Sequence, residues 1–327
     1  TEFLGPLARA RASFEGNGQF AHDSCWWWNS DKVMRLVASS LTKHRFCVLD
    51  DFMNAGDYKA LSSSLRELYY NGGLTPGTVY YKLRQTRASS SCPELLSRQS
   101  QPRQWNMRTE SLIYCSDEDS RAPALAQLGA AADAVISQLK LGGPDGQLEC
   151  VHRLENTNFR EPHLCACYPG SFRGRHARHI DNDAQWLHRT ITAIIYFNEA
   201  WRQENGGEFR LFAHDPHSTK ATLDILPVGN RMILFWATDD CPHEVLHCNR
   251  DRFAVSIIYV DGRESVRHPH GRSRVLQELI PTRPLTREEA LRKSADGEQD
   301  AQALIAEAET LRQLRSHASE PSVAWNL

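Results

Sequence analysis

Leu164-Cys-Ala-Cys-Tyr168, Ile191-Thr-Ala-Ile-Ile-Tyr-Phe-Asn198, Phe209-Arg-Leu-Phe212, Met232-Ile-Leu-Phe-Trp236, Glu244-Val-Leu-His-Cys248 and Phe253-Ala-Val-Ser-Ile-Ile-Tyr-Val260 follow one another through the second half of the chain. Each run is short and rich in β-branched and aromatic residues. Turn formers separate them, most plainly Gly206-Gly207 and Val228-Gly229-Asn230. Short strands at such spacing must either close on themselves or pack as two sheets, and they predict a double-sheet jelly roll.

Upstream the hydrophobic period becomes helical. Ser30 can cap a helix over 31–43, with Val33, Met34, Leu36, Val37 and Leu41 on one side. The stretch from Phe46 to Phe52 reads as a buried strand and a turn. Asn54 to Tyr70 reads as an amphipathic helix stopped by Asn71-Gly72-Gly73. Another helix fits 122–140, with Leu125, Leu128, Ala132, Val135, Ile136 and Leu139 in its stripe. Ser89-Ser90-Ser91, Pro93 and the polar run 98–103 mark a long loop, part of which (75–105) is expected to be mobile and near the site. Residues 109–115 return to strand character.

Trp26-Trp27-Trp28 are expected to clasp the domain through one or two of their rings. Past Arg263 the chain turns polar, and Thr286 with Glu289 fits a capping box for a late helix over 290–314. The organisation expected is an N-terminal extension over 1–40, the main domain over 41–263 and a C-terminal tail over 264–327.

Hydrophobic residues make up 41% and charged residues 24%, the profile of a globular protein. A net charge of -2 gives no general attraction to nucleic acid. No apolar run is long enough for a bilayer, and 1–20 lack the pattern of a secretory signal. Neither nucleic acid nor a membrane is therefore expected as a partner. The expected compartment is the cytoplasm, with the nucleus as the alternative. The nine cysteines form no CxxC pair; free thiols are expected rather than a disulfide framework or a zinc site.

The chemistry is concentrated in three places. His179 and Asp181 are separated by one residue, so on an extended strand both face one side. His243 arrives several strands later, late enough to come from the opposite side of a sandwich. Each alone means little in a chain with 14 histidines; the set carries the signal. Two imidazoles and one carboxylate on one face of an octahedral ion leave three positions open. That suits non-haem Fe(II) taking up a chelating co-substrate and O₂.

Arg252 heads an otherwise apolar run. Pointing inward it would need an anion, and a dicarboxylate would supply one through a two-pronged pair; pointing outward it would merely end a turn. Tyr196 and Thr192 share one face of their strand. They could bond the same carboxylate, or Tyr196 could be a core aromatic with its hydroxyl on a carbonyl.

Taken together, His163-Leu-Cys-Ala-Cys-Tyr-Pro-Gly170, Arg178-His-Ile-Asp-Asn182, Ile194-Ile-Tyr-Phe-Asn198, Trp201, Gly206-Gly-Glu-Phe-Arg-Leu-Phe212, Arg231-Met-Ile-Leu-Phe-Trp236, Pro242-His-Glu-Val245 and the run from Arg252 to Tyr259 resemble one family. It is that of the 2-oxoglutarate- and Fe(II)-dependent prolyl 4-hydroxylases. The nearest branch is the intracellular one, which includes the oxygen-sensing hydroxylases of hypoxia-inducible factor and the protist hydroxylases of the ubiquitin-ligase adaptor that binds F-box proteins. The resemblance is specific over about 164–262 and weaker over Phe46–Gly77.

The resemblance implies an α+β fold: a double-stranded β-helix (jelly-roll, cupin-like) core with supporting N-terminal helices and a C-terminal helical tail. It implies Fe(II), 2-oxoglutarate and O₂ as cofactor and co-substrates, with ascorbate as a supporting reductant. His179, Asp181 and His243 match the iron ligands. Arg252 matches the residue that pairs the distal carboxylate of 2-oxoglutarate, Tyr196 its hydroxyl partner, Thr192 a pocket-lining residue and Tyr168 a tyrosine beside the iron. His176 and Trp236 are expected at the substrate pocket. His176 stands where the branch usually carries a tyrosine, and the segment from Tyr168 to His179 is one residue longer than usual.

The activity implied is hydroxylation of a prolyl residue in an extended segment of a protein substrate. The products are 4-hydroxyproline, succinate and CO₂, oxygen sensing is a fitting role, and the enzyme is expected to be a monomer. The alternatives are a 2-oxoglutarate oxygenase acting on another residue or a small molecule, and an inactive jelly-roll binding module.

Overall fold

Two antiparallel sheets lie face to face, with helices against the outer side of the larger one. The structure is a computed structural model and describes residues 26–76, 110–141, 149–182, 188–213, 220–262 and 280–281. In chain order the elements are α1 (Asp31–His44), β1 (Phe46–Leu49), α2 (Ala55–Tyr70), β2 (Thr75–Pro76), β3 (Ser111–Cys115), α3 (Leu125–Lys140), α4 (Glu149–Leu154), β4 (Thr157–Arg160), β5 (His163–Tyr168), β6 (His176–His179), β7 (Arg189–Tyr196), β8 (Phe209–Phe212), β9 (Ala221–Ile225), β10 (Met232–Trp236), β11 (His243–Val245), β12 (Arg252–Asp261) and β13 (Ile280–Pro281). The larger sheet runs β1-β10-β7-β12-β5-β3-β2, with β4 against β12 and β13 against β4; the smaller runs β6-β11-β8-β9.

The helices begin where local chemistry dictates. Ser30 accepts from the Val33 amide to cap α1, and Asn54 accepts from the Asp57 amide to cap α2. Helix α1 ends at Arg45, which adopts the left-handed conformation and closes the last turn on the Leu41 carbonyl.

Strand register sorts the larger sheet into two faces. Phe235, Thr192 and Ile258 form one cross-strand row, and Tyr196, Ala254, Ala166 and Leu112 form another. With Arg252 opposite Tyr168, these residues share the inner face. The alternate residues turn outward to the helices. The Trp236 indole donates to the Leu41 carbonyl in α1, Phe253 meets Tyr69 of α2 edge-on, and the Tyr259 hydroxyl bonds Asp133 in α3.

The tryptophans at the start of the described chain belong to this core. Trp28 is fully buried, stacks between Trp26 and Phe52 at 5.0 Å on each side, and donates to the Phe52 carbonyl at 2.9 Å. Trp27 bonds the carbonyls of Asp50 and Asp51. These rings and α1 extend the packed unit back to residue 26, into the segment expected as an extension.

The six described cysteines that are free are all buried. The loop expected over 75–105, beyond Pro76, and the helix expected over 290–314 lie outside the described residues. No helix among the described residues is long and apolar enough to cross a membrane.

Candidate functional site

Three side chains meet at one end of the cleft between the sheets. His179 and His243 are directly opposite each other on neighbouring strands β6 and β11. His243 thus comes from the adjacent strand of the same sheet, not from the opposite side of the sandwich as its late position implied. Strand β6 ends at His179, so Asp181 reaches the same point from just beyond it. The backbone there is anchored by the Asn182 amide on the Ala237 carbonyl.

The Nε2 atoms of His179 and His243 lie 3.5 and 3.7 Å from Asp181 Oδ1, and one donor atom from each residue falls within 4.8 Å of the others. Each imidazole is oriented from behind. His179 Nδ1 lies 2.8 Å from the Ala177 carbonyl and His243 Nδ1 2.9 Å from the Cys241 carbonyl. A proton on each Nδ1 leaves each Nε2 with a lone pair aimed at the common centre. These three residues can hold one metal ion, and the donor set fits ferrous iron with open positions for further ligands.

The second carboxylate oxygen of Asp181 is already engaged. Thr192 Oγ1 donates to Oδ2 at 2.6 Å. Thr192, expected to bond the co-substrate, instead fixes Asp181, because its row lies beneath the metal end of the cleft. Arg189 adds a second tie: one guanidinium nitrogen lies 3.3 Å from the Asp181 carbonyl oxygen, while two others clamp Glu161 at 2.7 Å each. Burial pushes the Asp181 carboxyl up. The neighbouring His179 and His243 imidazoles and the Arg189 guanidinium outweigh it and hold the group far below the usual carboxylate range. Burial, reinforced by His179, pushes His243 down to about 4.

Three rows further along the inner face lies the second pole. Arg252 is 1% exposed and its Nε donates to the Gly207 carbonyl at 2.9 Å. Its guanidinium carbon lies 4.8 Å from the ring centroids of both Tyr168 and Tyr196. Gly207 is required there: its φ is +70°, and a Cβ would come within 2.9 Å of the Arg252 side chain. Arg252 Nη2 and the Tyr196 hydroxyl are buried and have no hydrogen-bond partner among the described residues. A buried guanidinium nitrogen and a buried hydroxyl left without acceptors call for an anion. A dicarboxylate that reaches the metal with its other end fits that demand.

The two residues expected at the substrate pocket part company. His176 stacks on His179, ring centroids 3.7 Å apart and planes 20° from parallel. Three residues apart on a regular strand they would face opposite ways. The register, however, slips between His243 and Val245, so that Val245 opposes His176. This bulge turns His176 onto the metal-facing side. Trp236 does not reach the site. It is 1% exposed on the outer face, with Arg153 over its ring at 3.9 Å. Alternation instead aims its neighbour Phe235 inward, 4.8 Å from the His243 ring, where Phe209 packs at 4.7 Å. Phe235, Arg189 and Glu161 were not singled out in the sequence, and Gly207 only as a turn former, since only register and contact place them at the site.

Comparison with known proteins agrees with this geometry. The sequence profile of the 2OG-Fe(II) oxygenase superfamily matches residues 164–260. Egl nine homolog 1 of Rattus norvegicus is 26% identical over 76% of this chain and 66% of its own length. The hypoxia-inducible factor prolyl hydroxylase of Caenorhabditis elegans is 28% identical over 70% of this chain and 28% of its own length. The chain thus spans less than two thirds of either relative. A Trichoplax adhaerens prolyl hydroxylase, solved with a hypoxia-inducible factor oxygen degradation domain peptide fragment, superposes with a TM-score of 0.55 at 24% identity, covering 72% of this chain and 93% of that one. Residues 164–260 are thus similar to the 2OG-Fe(II) oxygenase superfamily, and the fold agrees with that likeness.

Proposed function

We propose that this protein is a 2-oxoglutarate-, Fe(II)- and O₂-dependent dioxygenase that hydroxylates a prolyl residue of a protein substrate. The observation that carries the reading is the pairing of two poles on one inner face: a His-Asp-His cluster at one end and, at the other, a buried guanidinium whose Nη2 has no acceptor among the described residues. In this reading His179, Asp181 and His243 hold the iron. Thr192 and Arg189 hold Asp181 in place. Arg252 and Tyr196 receive the distal carboxylate of 2-oxoglutarate, and Tyr168 walls the guanidinium. Iron bound there supplies the oxidative step, in which 2-oxoglutarate, O₂ and a C–H bond become succinate, CO₂ and C–OH.

The chain's own contribution is geometric and electrostatic. The Ala177 and Cys241 carbonyls orient both imidazoles through Nδ1, with Nε2 aimed inward. Phe209 and Phe235 pack around His243 and exclude water. The prolyl target and the setting in oxygen sensing rest on relatives named as hypoxia-inducible factor prolyl hydroxylases. The proposed catalytic unit is 41–263, with Trp26–Trp28 and α1 packed onto it and 264–327 as a tail. A monomer acting on an extended protein segment completes the proposal.

The test is anaerobic loading with Fe(II) and 2-oxoglutarate, then air, with succinate and peptide mass followed on proline-containing peptides and proline-to-alanine controls. Proline-dependent gain of one oxygen with matching succinate is the expected result. Succinate without a peptide product would redirect the enzyme to another residue or a small molecule. Absence of succinate with iron bound would overturn the enzymatic reading.

A further inference from the structure

Strand β10 ends at Trp236 and β11 begins at His243, so a short link, 237–242, leads from the larger sheet to the smaller. Two of its carbonyls bear on the metal cluster. The Ala237 carbonyl accepts from the Asn182 amide at 2.7 Å, one residue past Asp181, and the Cys241 carbonyl lies 2.9 Å from His243 Nδ1. Both residues are buried. A shift of this link would therefore disturb Asp181 and His243 together.

The sheets hold only the two ends of the link. The Ala237 amide donates to the Thr190 carbonyl, and the Pro242 carbonyl accepts from the Phe212 amide. The middle is a turn, with the Cys241 amide on the Thr238 carbonyl, and side chains from the helical layer pin it. Arg153 of α4 donates through Nη2 to Asp240 Oδ2 at 2.6 Å and to Thr238 Oγ1 at 3.2 Å, and the Thr238 hydroxyl donates to the same Asp240 oxygen. The guanidinium is itself seated, its carbon 3.9 Å from the centroid of the Trp236 ring. The Arg153 and Asp240 side chains are 25% and 15% exposed, so solvent screens this pair less than one on the open surface.

We propose that Arg153 is a positioning residue for the metal centre: stacked on Trp236, it holds Asp240, and through Asp240 the link whose carbonyls aim Asp181 and His243. The inference rests on the proposed reading of His179, Asp181 and His243 as iron ligands. It makes metal affinity depend on a helix on the outer side of the larger sheet. Arg153 acts through the link and never touches the ion.

The test titrates the whole protein anaerobically with Co(II), reading affinity and the visible d–d spectrum, with melting temperature recorded on the metal-free protein. Arg153→Met keeps the stem over Trp236 and removes the donors. It should weaken Co(II) binding about tenfold, at the low end for loss of a partner behind a metal ligand, and alter the d–d bands. Arg153→Lys restores a charge and should recover part of the affinity. Asp240→Asn breaks the same contact from the other side and should match Arg153→Met, with the double variant no weaker than either. Arg210→Met, which breaks the Arg210–Asp224 pair on β8 and β9, controls for the loss of an ion pair as such and should leave affinity and spectrum unchanged. Folded Arg153→Met and Asp240→Asn proteins that bind Co(II) within twofold of wild type with the same spectrum would overturn the inference and leave the iron reading standing. An equal loss in Arg210→Met would overturn it too. Wild-type protein with no Co(II) binding that His179→Ala abolishes would overturn the iron reading and the inference together.

Discussion

Replacing Thr192 by valine removes one hydroxyl and keeps the shape of the side chain. In the folded protein that hydroxyl donates to Asp181 Oδ2 at 2.6 Å in a buried setting, and Thr192 itself is 1% exposed. A hydrogen bond to a charged, buried carboxylate is worth about 2 kcal/mol. Without it Oδ2 is left unpaired, and the carboxylate is free to rotate away from the point where the two Nε2 atoms converge. At about 1.4 kcal/mol per tenfold, Thr192→Val should weaken metal binding about thirtyfold, within the range found when a partner behind a metal ligand is lost. The assay is anaerobic titration with Fe(II), or Co(II) as a stable substitute, followed by calorimetry, with melting temperature recorded on the metal-free protein. Thr192→Ser keeps the donor and should recover most of the affinity. Metal affinity within twofold of wild type in a folded Thr192→Val protein would refute the assignment of Thr192 as the residue that positions Asp181.

Arg252→Lys keeps a charge but cannot both bond the Gly207 carbonyl and present a fork; it should raise the half-saturating 2-oxoglutarate concentration about a hundredfold, measured by succinate formation, with metal affinity unchanged. Trp28→Ala removes a ring stacked on Trp26 and Phe52 and should lower stability by about 3–5 kcal/mol in denaturant unfolding. For Asp240, burial pushes the carboxyl up, but the hydrogen bond and charge of Arg153 outweigh it and leave the group below its ordinary value. Its folded value being depressed, the stabilisation is present above about pH 4 and lost as pH falls through the folded value. Asp240→Asn should accordingly flatten the acid limb of melting temperature against pH.

Much of this was open to reading along the chain. Strand-forming runs between turn residues specify a jelly roll because alternation and turn chemistry are local, and the helices over 31–44 and 55–70 begin at the caps that Ser30 and Asn54 supply. Candidate ligands could be named because two imidazoles and a carboxylate are rare chemistry for the inside of an apolar sandwich. Strand β9 was not anticipated: it is an edge strand with mostly exposed residues, and Ala-Thr-Leu-Asp-Ile carries only a weak alternating pattern. Strand β6 was not delimited either, because its bulge breaks the period of two.

Sequence alone determined the long helices, most strands of the core and which residue types could meet a metal, since these follow from side-chain chemistry and short-range spacing. Tertiary structure decided who meets whom. Pairing of β6 with β11 set His179 beside His243, a distance of many residues that no local rule measures. The register of β10 sent Phe235 inward and Trp236 to the helices, because a shift of one residue exchanges the faces of a strand. The bulge in β6 gave His176 a face its spacing denied it. Thr192 went to Asp181 and not to Arg252 for the same reason: along one strand face the residues are equivalent in pattern, and only the opposing sheet distinguishes the two ends.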